Sequence, residues 1–578
     1  MHGIREWLSK RLEAFRLQVA RADAIAALSL LGILSGVLAA SVIILFRSLV
    51  EAGQETLLHT QLYDYEHLSP GWRLVSALAG GALLGLLFHF LPASMRRVGV
   101  PHVLERLDYQ QGRLLPANAL VQFVGGTIAL VSGQSVGREG PSIHLGAAAS
   151  NIPAQWLALP HNALRAIAVC GAAAGIAATF NTPLAGVAFA MEVLMMEPTV
   201  AAFAPVILAT ISATTLTRLA FGPDLAFTVP ALAFGSLSEL PLALLVGLFL
   251  SLVAAFFTRS LQIVYRLGSH LPLFLRLLLA GGAVGLIALD IPEVMGIGYD
   301  TVDQALRGDL TLYVLGIMLV AKFAATVLAV GLGVPGGLIG PSLVIGAMGG
   351  GLLACLANLL SFIPESSIGF YVMLGMGAMM AGTLQAPLAA LLAILELTGN
   401  PNVLFPGMLA VIAATLPASV LQGRQSVFQA FLQSMGVNYR DNRLARIQRQ
   451  VGVTAVMDRE FQELPPKPDR ASIDRVLAES PHWILVRPEG ASAQLLPAVD
   501  LVHALTETPD ATSVNLLDIP ADRLNAASIE FQANLQEAEE TLYQHGAQAL
   551  YVTRLTVPGI ARVYGILTRK EIDSGYLY

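Results

Sequence analysis

Apolar and polar positions fall in blocks along this chain of 578 residues. Residues 24–46, 74–91, 240–257 and 314–332 are apolar runs close to the roughly 20 residues a helix needs to cross a bilayer. Four others, 142–154, 172–180, 183–196 and 387–397, are shorter and are bounded or cut by Gly, Pro or Asn. Apolar runs of about 10–14 residues predict re-entrant or broken helices. Ahead of the first run, Arg5, Lys10, Arg11, Arg16 and Arg21 alternate with Leu, Phe and Trp7 at helical spacing. That spacing predicts an interfacial amphipathic helix over residues 1–23.

The pattern changes after Arg449. It predicts a helix at 473–477, a strand at 483–486 and a strand-to-helix segment at 495–500. The order returns as a helix at 535–543, strands at 549–552 and 563–567, and a helix from Arg569. The chain thus divides into the N-terminal helix, a membrane domain over 24–436, a linker at 437–452 and an α/β domain over 453–578.

Composition supports the membrane assignment. Hydrophobic residues make up 55% and charged residues 13%, against about 25% charged in soluble domains. The net charge of −6, with no basic tract, gives no footprint for nucleic acid. Cys170 and Cys355 stand alone in apolar runs and read as inert buried thiols, with no metal site. No zinc-type spacing, nucleophile–base arrangement or phosphate-cradling loop is present, so the chain is not expected to be an enzyme. The N-terminal basic residues and a second cluster, Arg440, Arg443, Arg446 and Arg449, place both termini in the cytoplasm, with an even number of crossings of a plasma or inner membrane.

The chain also repeats itself. Gly137-Arg138-Glu139-Gly140-Pro141-Ser142 is echoed by Gly337-Leu338-Ile339-Gly340-Pro341-Ser342, 200 residues later. Asn181-Thr182-Pro183-Leu184-Ala185 is answered by Gln385-Ala386-Pro387-Leu388-Ala389, 204 residues later. A glutamate follows each of these prolines by nine residues, Glu192 and Glu396. Duplicated, Gly/Pro-interrupted segments mark a transporter with its site where the halves meet.

A helix N-terminus carries free amides and about half a positive charge, so several aimed at one point bind an anion without a cationic side chain. Glycines let the backbone approach the ion. Glu139 is costly in an apolar setting unless it has a function. Ionised, it competes with the anion; protonated, it vacates the site. The residues alone therefore predict an anion pathway with a protonatable plug.

At these motifs the chain resembles the CLC chloride channel and transporter family. Gly137–Pro141 matches the family's GREGP signature, Gly336–Pro341 its GGxFxP motif with Ile339 for phenylalanine, and Phe180–Gly186 a loop of its first repeat. The resemblance covers residues 25 to 435. It implies an all-α polytopic membrane protein with two inverted repeats, about 24–235 and 236–436, and a homodimer with one anion pathway per subunit in the lipid bilayer. Glu139 would be the external gating glutamate. Val98, Gly99, Arg138, Gly140, Leu338, Ile339 and Phe428 would be the anion-binding residues.

Departures from the family pattern sharpen the expectation. Arg97-Val98-Gly99-Val100-Pro101 has Val98 where the family places a serine, and Phe428 stands where it places a tyrosine. Weak discrimination among chloride, bromide and nitrate follows, with the place of fluoride left open. Val193 stands where proton-coupled members carry an internal glutamate, leaving Glu197, one turn on, and Glu192 as candidates for a proton path. The expected function is a pH-sensitive chloride channel; proton-coupled chloride exchange is the alternative. His144 reads as a packing histidine or a proton partner, and Arg138 as a structural partner of Glu192, Glu396 or backbone carbonyls.

The C-terminal β-α-β-β-α duplication resembles a tandem CBS domain pair. Gly565-Ile566-Leu567-Thr568-Arg569-Lys570-Glu571 keeps the threonine of its nucleotide signature but has Glu571 for aspartate; the first copy keeps Asp500. Two readings stand, an adenosine-nucleotide site at Thr568, Glu571 and Asp500, or a purely dimerising module. No other cofactor is expected.

Overall fold

The computed structural model describes residues 2–21, 24–58, 65–195, 200–227, 236–361, 368–437, 448–449, 451–488, 490, 492–507, 513–557 and 560–574. Helices α1 (His2–Val19), α2 (Ile25–Leu58), α3 (Pro70–Phe90), α4 (Gly99–Tyr109), α5 (Pro116–Val131), α6 (Glu139–Trp156), α7 (His161–Phe180), α8 (Pro183–Phe189) and α9 (Val200–Phe221) make up the first half. The second half holds α10 (Leu240–Ser269), α11 (Leu273–Asp290), α12 (Tyr299–Arg307), α13 (Leu312–Gly331), α14 (Ile339–Leu359), α15 (Ile368–Leu384), α16 (Pro387–Thr398), α17 (Leu404–Leu421) and α18 (Val427–Ser434). Residues 29–154 and 165–440 form one compact unit; residues 1–28, 155–164 and 441–578 form another.

The helical unit is a multi-pass membrane domain. Among the described residues, nine helices are long and apolar enough to cross a membrane. The repeat is visible in the backbone: residues 131–140 and 331–340 take the same succession of helix end, turn, bridge and helix start. Packing repeats too. A Cβ on Gly146 of α6 would lie 2.3 Å from the Gly171 carbonyl oxygen of α7, and one on Gly346 of α14 would lie 2.3 Å from the Gly375 carbonyl oxygen of α15. Only glycine lets these helix backbones meet.

The two halves also cap each other. The Glu396 carboxylate accepts the Leu184 and Ala185 amides that open α8, at 3.0 and 2.8 Å. The Glu192 carboxylate accepts the Leu388 and Ala389 amides that open α16, at 3.0 and 2.7 Å. Such reciprocal contacts are what an inverted repeat produces, and they satisfy orphan donors at the helix starts.

Two of the predicted half-length segments are parts of longer helices. Segment 142–154 lies within α6, and 172–180 is the end of the 20-residue α7. His161, Asn162 and Arg165 break the apolar run without breaking the helix; Arg165 faces Asp108 at 3.5 Å. α8, continued by a π-helical turn over Ala190–Met195, and the 12-residue α16 are the short ones.

The other unit centres on one six-stranded sheet in sequential order: β1 (Phe461–Leu464), β2 (Trp483–Val486), β3 (Ala493–Pro497), β4 (Leu524–Glu530), β5 (Ala549–Val557) and β6 (Ile560–Thr568). Helices Arg470–Leu477, Ala498–Glu507, Leu535–His545 and Arg569–Ser574 complete two β-α-β-β-α copies, joined by antiparallel pairing of β3 with β4. α1 and the α6–α7 connection belong to this unit: Arg16 Nε donates to the Leu157 carbonyl at 2.8 Å, and His161 Nδ1 lies 2.9 Å from the Glu537 carboxylate. Of the second basic cluster only Arg449 is among the described residues.

Candidate anion site

The two glycine motifs meet. Gly137 donates to the Gly337 carbonyl at 2.8 Å and Gly337 donates back to the Gly137 carbonyl at 2.6 Å, a small antiparallel bridge between the halves. Glu139, with no exposed surface, lays its carboxylate in the cradle this bridge makes. A Cβ on Gly137 would stand 1.8 Å from Glu139 Oε2; Cβ atoms on Gly337 and Gly340 would stand 2.6 and 2.7 Å from its two oxygens. The glycines are thus required because an anionic group occupies the space side chains would fill. Tyr299 Oη donates to Glu139 Oε1 at 3.2 Å, whereas Oε2 has no hydrogen-bond partner among the described residues.

Beside the carboxylate lies a cavity of about 500 Å³. Four helix N-termini reach it. Gly99 opens α4 at φ +80°, a left-handed conformation suited to glycine, and Gly140, Leu338 and Phe428 lie at the starts of α6, α14 and α18. α18 is fixed by a capping box in which the Ser426 hydroxyl accepts from the Gln429 amide. Converging N-termini give the cavity positive potential from backbone alone. Arg96, Arg97 and Arg276 add positive charge to its wall.

Five of the seven sequence-predicted anion residues line this cavity: Val98, Gly99, Gly140, Leu338 and Phe428. Arg138 and Ile339 do not. Arg138 turns to a separate small cavity with Ile43, Phe46 and Arg47, and Ile339 to another with Phe180 and Leu343. At a helix start, adjacent side chains diverge, so only the glycine-side backbone of each motif faces the cavity. Glu192 and Glu396, which the pattern offered as partners of Arg138, each cap a helix of the other half. Glu192, the other expected proton-path residue, is thus placed at the start of α16. Glu197 lies outside the described residues.

Sequence reasoning missed two groups. Tyr299 reaches Glu139 from the second half as the first residue of α12, the repeat counterpart of α4, where Gly99 stands in its place. Lys322 is fully buried in α13; its Nζ donates to the Val294 and Gly296 carbonyls at 3.0 and 2.9 Å, tying down the turn that leads into Tyr299. The available signal was a lone lysine in an apolar run of membrane-spanning length, where ionisable residues need partners.

In the α/β unit the three nucleotide candidates already have partners. The Thr568 hydroxyl and amide both bond the Glu571 carboxylate, the amide at 2.8 Å. Asp500 sits in the first turn of its helix, not on the strand, and accepts the Asp522 amide at 3.0 Å.

A family model for the voltage gated chloride channel matches residues 80–419. A putative chloride channel protein ClcB-like from Ralstonia nicotianae is 33% identical over 373 residues, 62% of this chain and 85% of that protein. An H(+)/Cl(-) exchange transporter ClcA from Vibrio cholerae serotype O1 is 29% identical over 412 residues, 68% of this chain and 86% of that protein. Among solved structures, a slow cyanobacterial Cl-/H+ antiporter is similar with a TM-score of 0.64 at 25% identity, covering 71% of this chain and 97% of that one. The matched glycine motifs, the reciprocal helix caps and these likenesses agree, and the chain belongs to the voltage gated chloride channel family of anion transport proteins.

Proposed function

We propose that this protein exchanges chloride for protons across a membrane, with Glu139 as the gate. The observation that carries the reading is the Glu139 carboxylate, held in a glycine cradle from both halves beside a cavity served by four helix N-termini. A carboxylate there is an anion in an anion's place. Protonation removes its charge and its claim on the site, so proton binding and anion entry become linked events. Beside a putative chloride channel protein, the similar proteins include an exchange transporter and an antiporter, and these favour exchange. The passive channel expected from Val193 gives way to that alternative.

The functional unit in this reading is a homodimer with one pathway in each subunit and both termini cytoplasmic. The C-terminal sheet acts as a structural module, since Thr568, Glu571 and Asp500 are occupied by bonds within the chain. The test is the reversal potential of purified protein in liposomes under opposed chloride and proton gradients. A reversal potential displaced by the proton gradient supports exchange; one that tracks chloride alone overturns it.

A further inference from the structure

Exchange needs a proton route between the cavity and Glu139, and Val193, 2% exposed, offers no acceptor. A cluster of buried titratable groups on α4 and α6 meets the cavity wall at Arg97 and at Gly99. Arg97, on the cavity wall with its side chain 45% exposed, pairs with Glu105 Oε1. The other Glu105 oxygen lies 3.6 Å from His102 Nδ1. The His102 ring meets the His144 ring edge-to-face with centroids 5.2 Å apart. His144 Nδ1 in turn lies 3.4 Å from the Gly99 amide and 3.5 Å from Gln122 Oε1. Gly99 is again on the cavity wall.

Neither histidine is held as a packing residue normally is. His102 and His144 are 2% and 0% exposed. Both ring nitrogens of His102 and Nε2 of His144 lack a hydrogen-bond partner among the described residues. An unpaired buried polar nitrogen is costly, and an apolar ring would fill either position without that cost. His144 also stands between an N–H donor and a C=O acceptor at the same nitrogen. Nδ1 either accepts from the Gly99 amide or donates to Gln122 Oε1, so both neutral tautomers find a partner. A site that accommodates both is suited to passing a proton.

We infer that Glu105, His102 and His144 form a proton relay that bypasses the apolar section of the cavity at Val98 and Phe428; the inference rests on the exchange reading. A proton entering at the cavity wall beside Arg97 is taken up by its partner Glu105 and passes to His102 Nδ1. His102 releases the proton from its other nitrogen to Nε2 of His144. His144, its Nδ1–H turned to Gln122 Oε1, gives up that proton to a water molecule entering from the cavity beside Gly99, and the hydronium so formed hands it on to Glu139. Each transfer breaks one O–H or N–H bond and forms one, and the charge moves with the proton. The cationic neighbours of the pair, Arg97 and Arg106, oppose a second charge on the rings, so the relay carries one proton at a time. The relay keeps protons and chloride on separate tracks where the cavity is narrow in donors.

The experiment measures chloride efflux and proton uptake together in proteoliposomes of the full chain, for wild type, His102→Gln, His144→Gln and Glu105→Gln. Wild type is expected to take up protons against chloride. The histidine variants should lose at least about tenfold of proton uptake, a modest value for removing a positioned proton-transfer group, while chloride continues to move. Adding Val193→Glu to His102→Gln should restore proton uptake, which a merely structural defect would not allow. Wild-type coupling with variants at the wild-type proton-to-chloride ratio overturns the relay and leaves exchange standing. Wild type without proton uptake overturns both. If the histidine variants carry no chloride at all, Glu105→Gln decides on the same two outcomes.

Discussion

Two hexapeptides 200 residues apart take the same backbone path and pair with each other, yet only the first carries charge. Gly337-Leu338-Ile339-Gly340 supplies amides, space and two apolar side chains, Leu338 at the cavity and Ile339 turned away from it. Gly137-Arg138-Glu139-Gly140 supplies the same amides and a carboxylate that folds back onto both motifs. The difference separates two functions. In the exchange reading, duplicated backbone builds the place for an anion, and one unduplicated side chain would make that place conditional on a proton. The largest expected effect comes from erasing the asymmetry. Glu139→Gln keeps the shape and removes the ionisation, so chloride flux should become independent of pH and proton uptake should vanish. Wild-type pH dependence in that variant, read from chloride efflux between acid and neutral pH, ends the gating assignment.

The other matched pair sharpens the comparison from the symmetric side. Glu192 and Glu396 each accept two amides at the start of a helix in the opposite half. Removing a carboxylate that caps two amides at a helix start costs about 0.5–2 kcal/mol. Glu192→Ala and Glu396→Ala should therefore lower thermal stability by similar amounts, with exchange stoichiometry retained in the protein that stays folded. A strongly unequal loss of stability breaks the symmetric reading. Lost proton coupling at wild-type stability in the Glu192 variant returns that residue to the proton path.

What the sequence revealed follows the same division. The glycine motifs, the Asn181 and Gln385 loops and the paired glutamates were legible because duplication wrote each of them twice. The α/β copies were legible for the same reason. Val98 and Phe428 were found by their departure from a pattern, and both line the cavity. Arg138 and Ile339 were misplaced because linear adjacency to glycine says nothing about which way a side chain leaves a helix start. Tyr299, Lys322, His102 and Glu105 appear in one half only. Their spacing carries no signal until the folded chain brings α12, α13 and α4 alongside α6. Segment 172–180 read as half a helix because three polar residues hid the start of α7.

Val98 and Phe428 pose the comparison at the cavity itself, since the two halves both place an apolar side chain beside their amides. Weak discrimination among chloride, bromide and nitrate follows, because all three are held by backbone donors of similar reach. Val98→Ser adds one hydroxyl donor at the start of α4. A hydrogen bond of on the order of 1 kcal/mol changes relative affinity roughly fivefold. Competition between anions for flux through reconstituted protein measures it. Strong chloride preference in wild type, indifferent to this substitution, would show that backbone geometry alone sets the choice.

The smallest expected effect concerns what the second half lends to the first. Tyr299 Oη donates to Glu139 Oε1 at 3.2 Å, at the long end of a hydrogen bond. Its ring packs against Phe227 with centroids 5.1 Å apart and against Phe180 at 6.4 Å. Tyr299→Phe keeps those ring contacts and deletes one donor to the seated carboxylate. A net contribution of about 0.5–1 kcal/mol corresponds to a two- to fivefold change in the balance between seated and released Glu139. Chloride flux at neutral pH should rise by about that factor, with the proton-to-chloride ratio unchanged because the carboxylate remains. The same substitution in a Glu139→Gln background should do less, since the neutral amide leans less on the donor than a carboxylate does. Equal increases in the two backgrounds would place the action of Tyr299 on the pathway rather than on the gate.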